Sequence, residues 1–262
     1  MRGSIPNARH SGPQLGPVRC RVMVRVNIGT AGWSIPRDVA GSFPAEGSGL
    51  ERYACRFPVT EINSSFHRPH RPDTWARWRD GTPDDFRFSV KLPKAITHEL
   101  KLADFEEPLA HFLAEVALLG SKLAVLLVQL PPKLAFEAGA AGRFFASLTS
   151  STAAAVACEP RHASWFAPEA DALLEALGVA RVAADPAICD AARQPGGAAA
   201  LSYWRLHGSP RMYRSSYADR LARYAALLKA QTAAGHDTWC IFDNTASSAA
   251  AGDALALMRA LA

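Results

Sequence analysis

The chain has 262 residues, of which 49% are hydrophobic, and its formal net charge is +5. This length and this hydrophobic content exclude a minimal domain and a wholly disordered chain, and they fit one large α/β domain or two small ones. The sequence has neither an 18-residue apolar run nor the apolar core of a signal peptide near its start, so we predict a cytoplasmic protein without a membrane span.

The excess positive charge lies at the beginning of the chain. Residues 1–24 hold four arginines and no acidic residue, which leaves 25 basic and 24 acidic residues over 25–262. Because the segment is also rich in Gly, Pro, Ser and Asn, we predict a disordered basic extension over 1–24, with Met23 as an alternative translation start. Because residues 25–262 are nearly neutral, nucleic-acid binding is the less favoured prediction. Its only support is a local basic stretch of Arg68, Arg71, Arg77 and Arg79.

Short apolar runs alternate with helical patterns along residues 24–262. The runs are Val24–Thr30, Val59–Asn63, Phe86–Lys91, Leu123–Gln129, Ala154–Glu159, Val179–Asp185, Leu201–His207 and Thr238–Asn244. The predicted helices are Gly49–Arg56, Arg71–Arg79, Phe105–Leu119, Gly139–Leu148, Pro168–Leu177, Tyr217–Ala234 and Ala246–Leu261. Alternation of this kind is typical of parallel pairing, and eight units predict one closed, eight-stranded (β/α)8 TIM barrel over 25–262. A doubly wound open sheet is the alternative, although the stretch after the first run lacks the G-x-G-x-x-G spacing.

Polar side chains end nearly every predicted strand. In a barrel these carboxyl ends surround the active site, because the βα loops gather there. Period-two alternation turns Tyr203, Arg205 and His207 to one face of their strand, and Glu61 and Asn63 to one face of theirs. The side chains that we expect to converge are Glu61, Asn63, Lys91, Gln129, Glu159, Asp185, Arg205, His207 and Asp243.

Seven ordered motifs carry a family resemblance. They read IGTAGWSIP, RFPVTEINSSFHR, FRFSVKLPKAITHE, LLVQLPPKL, EPRHASWF, RLHGS and IFDNT. In order and spacing they resemble the YecE-like family (domain of unknown function 72, DUF72) of bacterial TIM-barrel proteins, over roughly residues 26–260. The resemblance implies the barrel fold independently of the strand count, and it implies no particular reaction.

We predict two groups of site residues, drawn from the convergent set and from the loops of the same face. The predicted catalytic residues are Glu159, His207, Lys91 and Glu61. The predicted substrate-binding residues are Arg205, Asn63, Gln129, Asp185, Arg161, His162, Trp33, Phe66, Tyr213, Asp243 and Asn244. The alternative for the charged members is a buried ion network that only closes the barrel, and for the aromatic members it is loop packing.

We predict an enzyme that performs metal-free acid–base chemistry on a small anionic or sugar-like ligand. A second hypothesis is a divalent-metal site of the phosphodiesterase or isomerase type, built from Glu61, Glu159, Asp185, His207 and Asp243. A third makes Lys91 an imine-forming nucleophile, and a non-enzymatic barrel that binds nucleic acid is the remaining alternative. The sequence assigns neither a cofactor nor an oligomeric state.

Overall fold

The structure is a computed structural model, and it describes residues 26–262. The predicted extension over 1–24 lies outside the described residues. The α-helices are α1 (Gly49–Ala54), α2 (Pro72–Asp80), α3 (Glu106–Val116), α4 (Ala138–Ser150), α5 (Pro168–Ala176), α6 (Leu221–Ala233) and α7 (Ala249–Leu261). The strands are β1 (Asn27–Thr30), β2 (Val59–Ile62), β3 (Arg87–Lys91), β4 (Leu123–Gln129), β5 (Ala155–Glu159), β6 (Val179–Arg181), β7 (Ala183–Asp185), β8 (Gly196–Gly197), β9 (Leu201–Leu206) and β10 (Asp237–Phe242).

The strands form two sheets, with the orders β1-β10-β9-β7 and β2-β3-β4-β5-β6-β8. Pairing is parallel except between β6 and β8. The predicted α/β class with parallel sheets is therefore confirmed, whereas the strands are distributed over two sheets instead of one sheet of eight. The strand β8 was missed because its two glycines give no apolar run.

The two sheets meet at two places. The sixth predicted run is divided at Val182, so that β6 pairs with β5 in one sheet and β7 pairs with β9 in the other. Between β1 and β2 the contact is an isolated parallel bridge from Ala31 to Glu61, where Gly32 N donates to Glu61 O at 2.8 Å. Sequence periodicity does not reveal where a strand changes its pairing partner in this way.

Apolar side chains cover both faces of the strands. The larger buried cluster lies between the strands and the helices and includes Phe88, Leu126 and Phe242. A second cluster joins residues of both sheets: Val59, Val125, Leu127, Ala157, Ala180, Val182, Leu201, Tyr203, Trp239 and Ile241. Strands buried on both faces explain why the runs are nearly continuous in hydrophobicity.

The helices begin at residues suited to starting them. Ser48 and Glu51 form a reciprocal capping box at the start of α1, while Pro72 and Pro168 occupy the first positions of α2 and α5, where a missing N–H costs no helical hydrogen bond. These starts set the lengths of the loops that follow the strands. No helix within residues 26–262 is both long and apolar enough to cross a membrane.

Candidate functional site

A buried arginine joins three carboxylates at the carboxyl ends of the strands. Arg205 in β9 donates from Nε and Nη2 to the two oxygens of Glu61 at 3.0 and 2.6 Å. Its Nη1 donates to Glu159 Oε2 at 2.5 Å, and Nη2 also donates to Asp243 Oδ2 at 3.0 Å. Its three guanidinium nitrogens are therefore all engaged, and the carboxylates come from β2, from β5 and from the residue after β10.

His207 connects two of these carboxylates. Its Nδ1 lies 2.9 Å from Asp243 Oδ2, and its Nε2 lies 2.8 Å from both Glu159 Oε1 and Arg161 Nη2. Arg161 Nη2 is also 2.6 Å from Glu159 Oε1. A neutral ring accepts from Arg161, whereas a protonated ring donates to both carboxylates, so the contacts allow two proton arrangements.

Burial and ion pairing oppose each other in this cluster. Burial alone would raise the pKa of Glu159, but Arg161, Arg205 and His207 outweigh it and hold that pKa well below its usual range. The pKa of Asp243 is lowered in the same way, because Arg205 and His207 outweigh its desolvation. Glu159 and Asp243 are therefore ionised at neutral pH.

Two hydroxyl groups lie beneath the carboxylates. The Tyr203 hydroxyl donates to Glu61 Oε2 at 2.9 Å and lies 2.8 Å from Ser89 Oγ. Burial and the charge of Glu61 raise the pKa of Tyr203, so this phenol stays a donor. Alternation predicted the inward position of Tyr203, yet neither Tyr203 nor Ser89 was among the predicted site residues, because both precede the polar ends of their strands.

Lys91 is a basic residue beside the cluster that the carboxylates do not neutralise directly. They pair instead with Arg205 and Arg161. Lys91 Nζ lies 4.0 Å from the centroid of the Phe66 ring, a cation–π contact. Burial, followed by the charge of Arg205, lowers the pKa of Lys91 to about 8, against the opposing attraction of the nearby carboxylates.

Two further predicted binding residues lie at the same strand ends, and a third lies in the loop after β9. Gln129 is half-buried and stands beside Glu159 in the β4–β5 register. Asn63 directly follows β2, and its Oδ1 is buried without a hydrogen-bond partner among the described residues. The ring of Tyr213 approaches that of His207 edge to face at 5.8 Å, and the residue is 40% exposed.

The structure places four other predicted binding residues outside the charged cluster. Asp185 is paired in register with Leu206, so it faces α6 and accepts from Tyr224 Oη at 2.6 Å. Asn244 donates to Asp253 Oδ2 at 2.7 Å and to the Ser215 carbonyl at 3.0 Å. The remaining two serve local structure, in that the imidazole of His162 caps the turn Ala163–Phe166 and the ring of Trp33 packs edge to face on Trp78 of α2. The structure therefore does not bring these four side chains into contact with the charged cluster.

The predicted metal-ligand set does not fit a cation. Asp185 faces away from the other members, and the guanidinium of Arg205 lies between Glu61, Glu159 and Asp243, where a cation would have to bind. Across residues 26–262, no group of three or more His, Cys, Asp or Glu side chains is arranged to hold a metal ion.

Comparisons with known proteins identify a family that matches this chain. The family described as "Protein of unknown function DUF72" matches residues 27–262. UPF0759 protein YecE of Escherichia coli (strain K12) is 32% identical over 106 residues, which are 40% of this chain and 38% of YecE. UPF0759 protein YunF of Bacillus subtilis (strain 168) is 26% identical over 151 residues, 55% of this chain and 53% of YunF. The matches thus span about half or less of these relatives.

Solved structures agree in fold. A DUF72 family protein from Enterococcus faecalis V583 superposes with a TM-score of 0.76 at 19% identity, over 90% of this chain and 95% of that one. A DUF72 family protein from Thermotoga maritima MSB8 gives a TM-score of 0.73 at 22% identity, over 90% and 99% of the two chains. With the family match over nearly all of the described residues, the chain belongs to the DUF72 family.

Proposed function

We propose that the strand-end cluster is the active site of an enzyme that performs acid–base chemistry on a small anionic or polyhydroxylated substrate. The observation that carries the proposal is Lys91, a half-buried amine that adjoins the carboxylates of Glu61, Glu159 and Asp243 without an ion pair to any of them. A proton donor or acceptor works best when its pKa is near the working pH, and about 8 meets that condition.

In this proposal the roles differ from those expected from sequence alone. Lys91 exchanges the proton, since Glu159 and His207 have side-chain exposures of only 1% and 0%. Arg161 holds the anionic group, because its Nε is buried without a hydrogen-bond partner among residues 26–262. Arg205 is a positioning residue, because its donors are already used by carboxylates.

We also infer that the two sheets close into one eight-stranded barrel, with β6 and β7 as two parts of a single strand. Two junctions support the closure, namely the change of partner at Val182 and the bridge from Ala31 to Glu61. The second apolar cluster, which contains residues of both sheets, supports it as well. In such a barrel the cluster occupies the usual position of an active site.

The test begins with ligand binding. We expect a subset of small carboxylates, phosphates and sugar phosphates to raise the melting temperature of the wild type, and the shift to disappear in Lys91→Met and in Arg161→Met. Lys94→Met is the matched control, since Lys94 is exposed and pairs with Glu99. Loss of the shift in the control, or its persistence in both site variants, contradicts the proposal.

The second stage tests the chemistry. Each anion that binds is incubated with enzyme in D2O, and its proton NMR spectrum is followed. Loss of a C–H signal with the wild type, slowed by about 100-fold or more in Lys91→Met, is the expected result for a proton-transferring group. Binding without exchange or conversion of any bound compound argues for a binding protein instead of an enzyme.

A further inference from the structure

A basic groove lies beside the strand-end cluster, between the loop that follows β2 and helix α2. Its volume is about 460 Å³, within the ordinary range for ligand pockets of about 300–1,000 Å³. We define the basic–aromatic groove by Arg68, Arg71, Arg77, Trp33 and Trp78, which all line it. The acid–base chemistry proposed above uses none of these five residues, since the structure places Trp33, a predicted substrate-binding residue, outside the charged cluster.

The three arginines of the groove are exposed. Among the residues that the structure describes, none of the three forms an ion pair, in contrast to the neighbouring Arg79, whose guanidinium binds Asp80 at 2.7 Å and the Leu118 carbonyl at 3.1 Å. Arg79, which the sequence analysis included in the basic stretch, is therefore already engaged and does not belong to the groove. Three unneutralised guanidinium groups around one groove form a site that attracts phosphate oxygens.

The groove also contains unusual aromatic surface. Four of the six tryptophans, Trp75, Trp165, Trp204 and Trp239, are at most 2% exposed, whereas Trp33 and Trp78 are half-buried. The two rings meet edge to face at 5.1 Å, and Trp78 also contacts His70 at 4.9 Å. The Ser64 hydroxyl, 2.8 Å from His70 Nε2, holds this aromatic group on the loop. Exposed indole surface beside arginines suits a flat, electron-rich ring.

We propose that the basic–aromatic groove binds an aromatic base that carries phosphate, with the base against Trp33 and Trp78 and the phosphates on Arg68, Arg71 and Arg77. This chemistry is shared by free nucleotides and by single-stranded nucleic acid. Phosphate contacts supply salt-dependent affinity, and the base contacts supply the preference over a bare polyphosphate. The site is separate from Lys91 and does not depend on the proposed reaction.

The experiment measures binding to the full chain with three probes: ATP, tripolyphosphate and a dye-labelled 12-mer of oligothymidylate. We expect ATP or the 12-mer to quench tryptophan fluorescence and to bind at least tenfold more tightly than tripolyphosphate. Arg71→Gln/Arg77→Gln should weaken that binding about tenfold or more. The matched control, Arg143→Gln/Arg259→Gln, removes the same charge from exposed arginines elsewhere and should bind like the wild type.

The probes also separate the two sources of the ligand. Preference for the 12-mer, with affinity that falls steeply with salt, identifies single-stranded nucleic acid; preference for ATP identifies a free nucleotide. The proposal is overturned if neither binds, if tripolyphosphate binds as tightly, or if the control loses as much affinity as the groove variant. Lys91→Met should retain the binding, which keeps this result distinct from that of the proposed active site.

Discussion

Two inward basic side chains differ in how they are neutralised. The guanidinium of Arg205 contacts Glu61, Glu159 and Asp243, and their charges outweigh its burial and raise its pKa well above the usual range. The amine of Lys91 contacts an aromatic ring and keeps a pKa of about 8. In a purely structural ion network each buried charge has an opposite charge as its partner. A functional group often lacks such a partner, and this lowers the stability of the fold.

This difference predicts that Lys91→Met stabilises the fold at neutral pH. The lowered pKa of Lys91 means that its charged form costs folding free energy below about pH 8, and that the cost disappears as pH rises toward the unfolded value of about 10.4. We expect a gain on the order of 1–3 kcal/mol at pH 7, which shrinks at pH 10, measured by urea unfolding.

Lys94→Met provides the comparison, because its exposed pair with Glu99 contributes at most about 1 kcal/mol. The interpretation of Lys91 as a functional residue fails if Lys91→Met lowers the free energy of unfolding at pH 7, since Lys91 would then be part of the stabilising network.

The close approach of β1 to β2 depends on one glycine. A Cβ on Gly29 would lie 2.2 Å from the carbonyl oxygen of Val59. We expect Gly29→Ala to lower the free energy of unfolding by about 1–3 kcal/mol or more, because backbone atoms on both strands must move. Gly41→Ala, whose Cβ would have no heavy atom within 4 Å, is the control. Equal urea midpoints for the two variants would contradict this account of the junction.

Alternation along a predicted strand gives the correct face where the strand is regular. Alternation correctly brought Tyr203, Arg205 and His207 to one face, because β9 is one regular strand. In the sixth run, Ala180 and Val182 face the second apolar cluster, so the same alternation turns Asp185 outward. A polar residue at a strand end was thus an insufficient criterion, and the division of that run at Val182 depends on partners that are distant in sequence.

The charged cluster makes the stability of the whole protein decrease in acid. The pKa values of Glu159 and Asp243 are lowered in the folded protein, so their contribution is present above the unfolded values of about 4 and is lost as pH falls through the folded ones. We expect the free energy of unfolding to decrease steadily below about pH 4, as measured by urea unfolding between pH 7 and pH 3.

Glu159→Gln should be less stable at pH 7 and should lose less stability on acidification than the wild type. Glu99→Gln, at an exposed carboxylate, should follow the wild-type curve. If the acid dependence of Glu159→Gln matches that of the wild type, the loss of stability arises from other carboxylates.

The pairing within the cluster is a property of the whole chain that no local pattern contains. Arg205 is 144 residues from Glu61 and 46 from Glu159 in sequence, so the strand order had to be known before the partners could be named. The same holds for Trp33 and Trp78, which come from the loop after β1 and from α2. Sequence predicted which residues are polar at strand ends, and the three-dimensional arrangement decided which of them are already satisfied.

The second apolar cluster determines from which side solutes can reach the charged residues. Its side chains, among them Leu127, Tyr203 and Trp239, fill the space below the charged residues. In the barrel that we propose, solutes would therefore reach the charged residues from the loop side, where Lys91 and Tyr213 are partly exposed. Arrival and departure would then share one passage, so an occupant that leaves slowly would delay the next one.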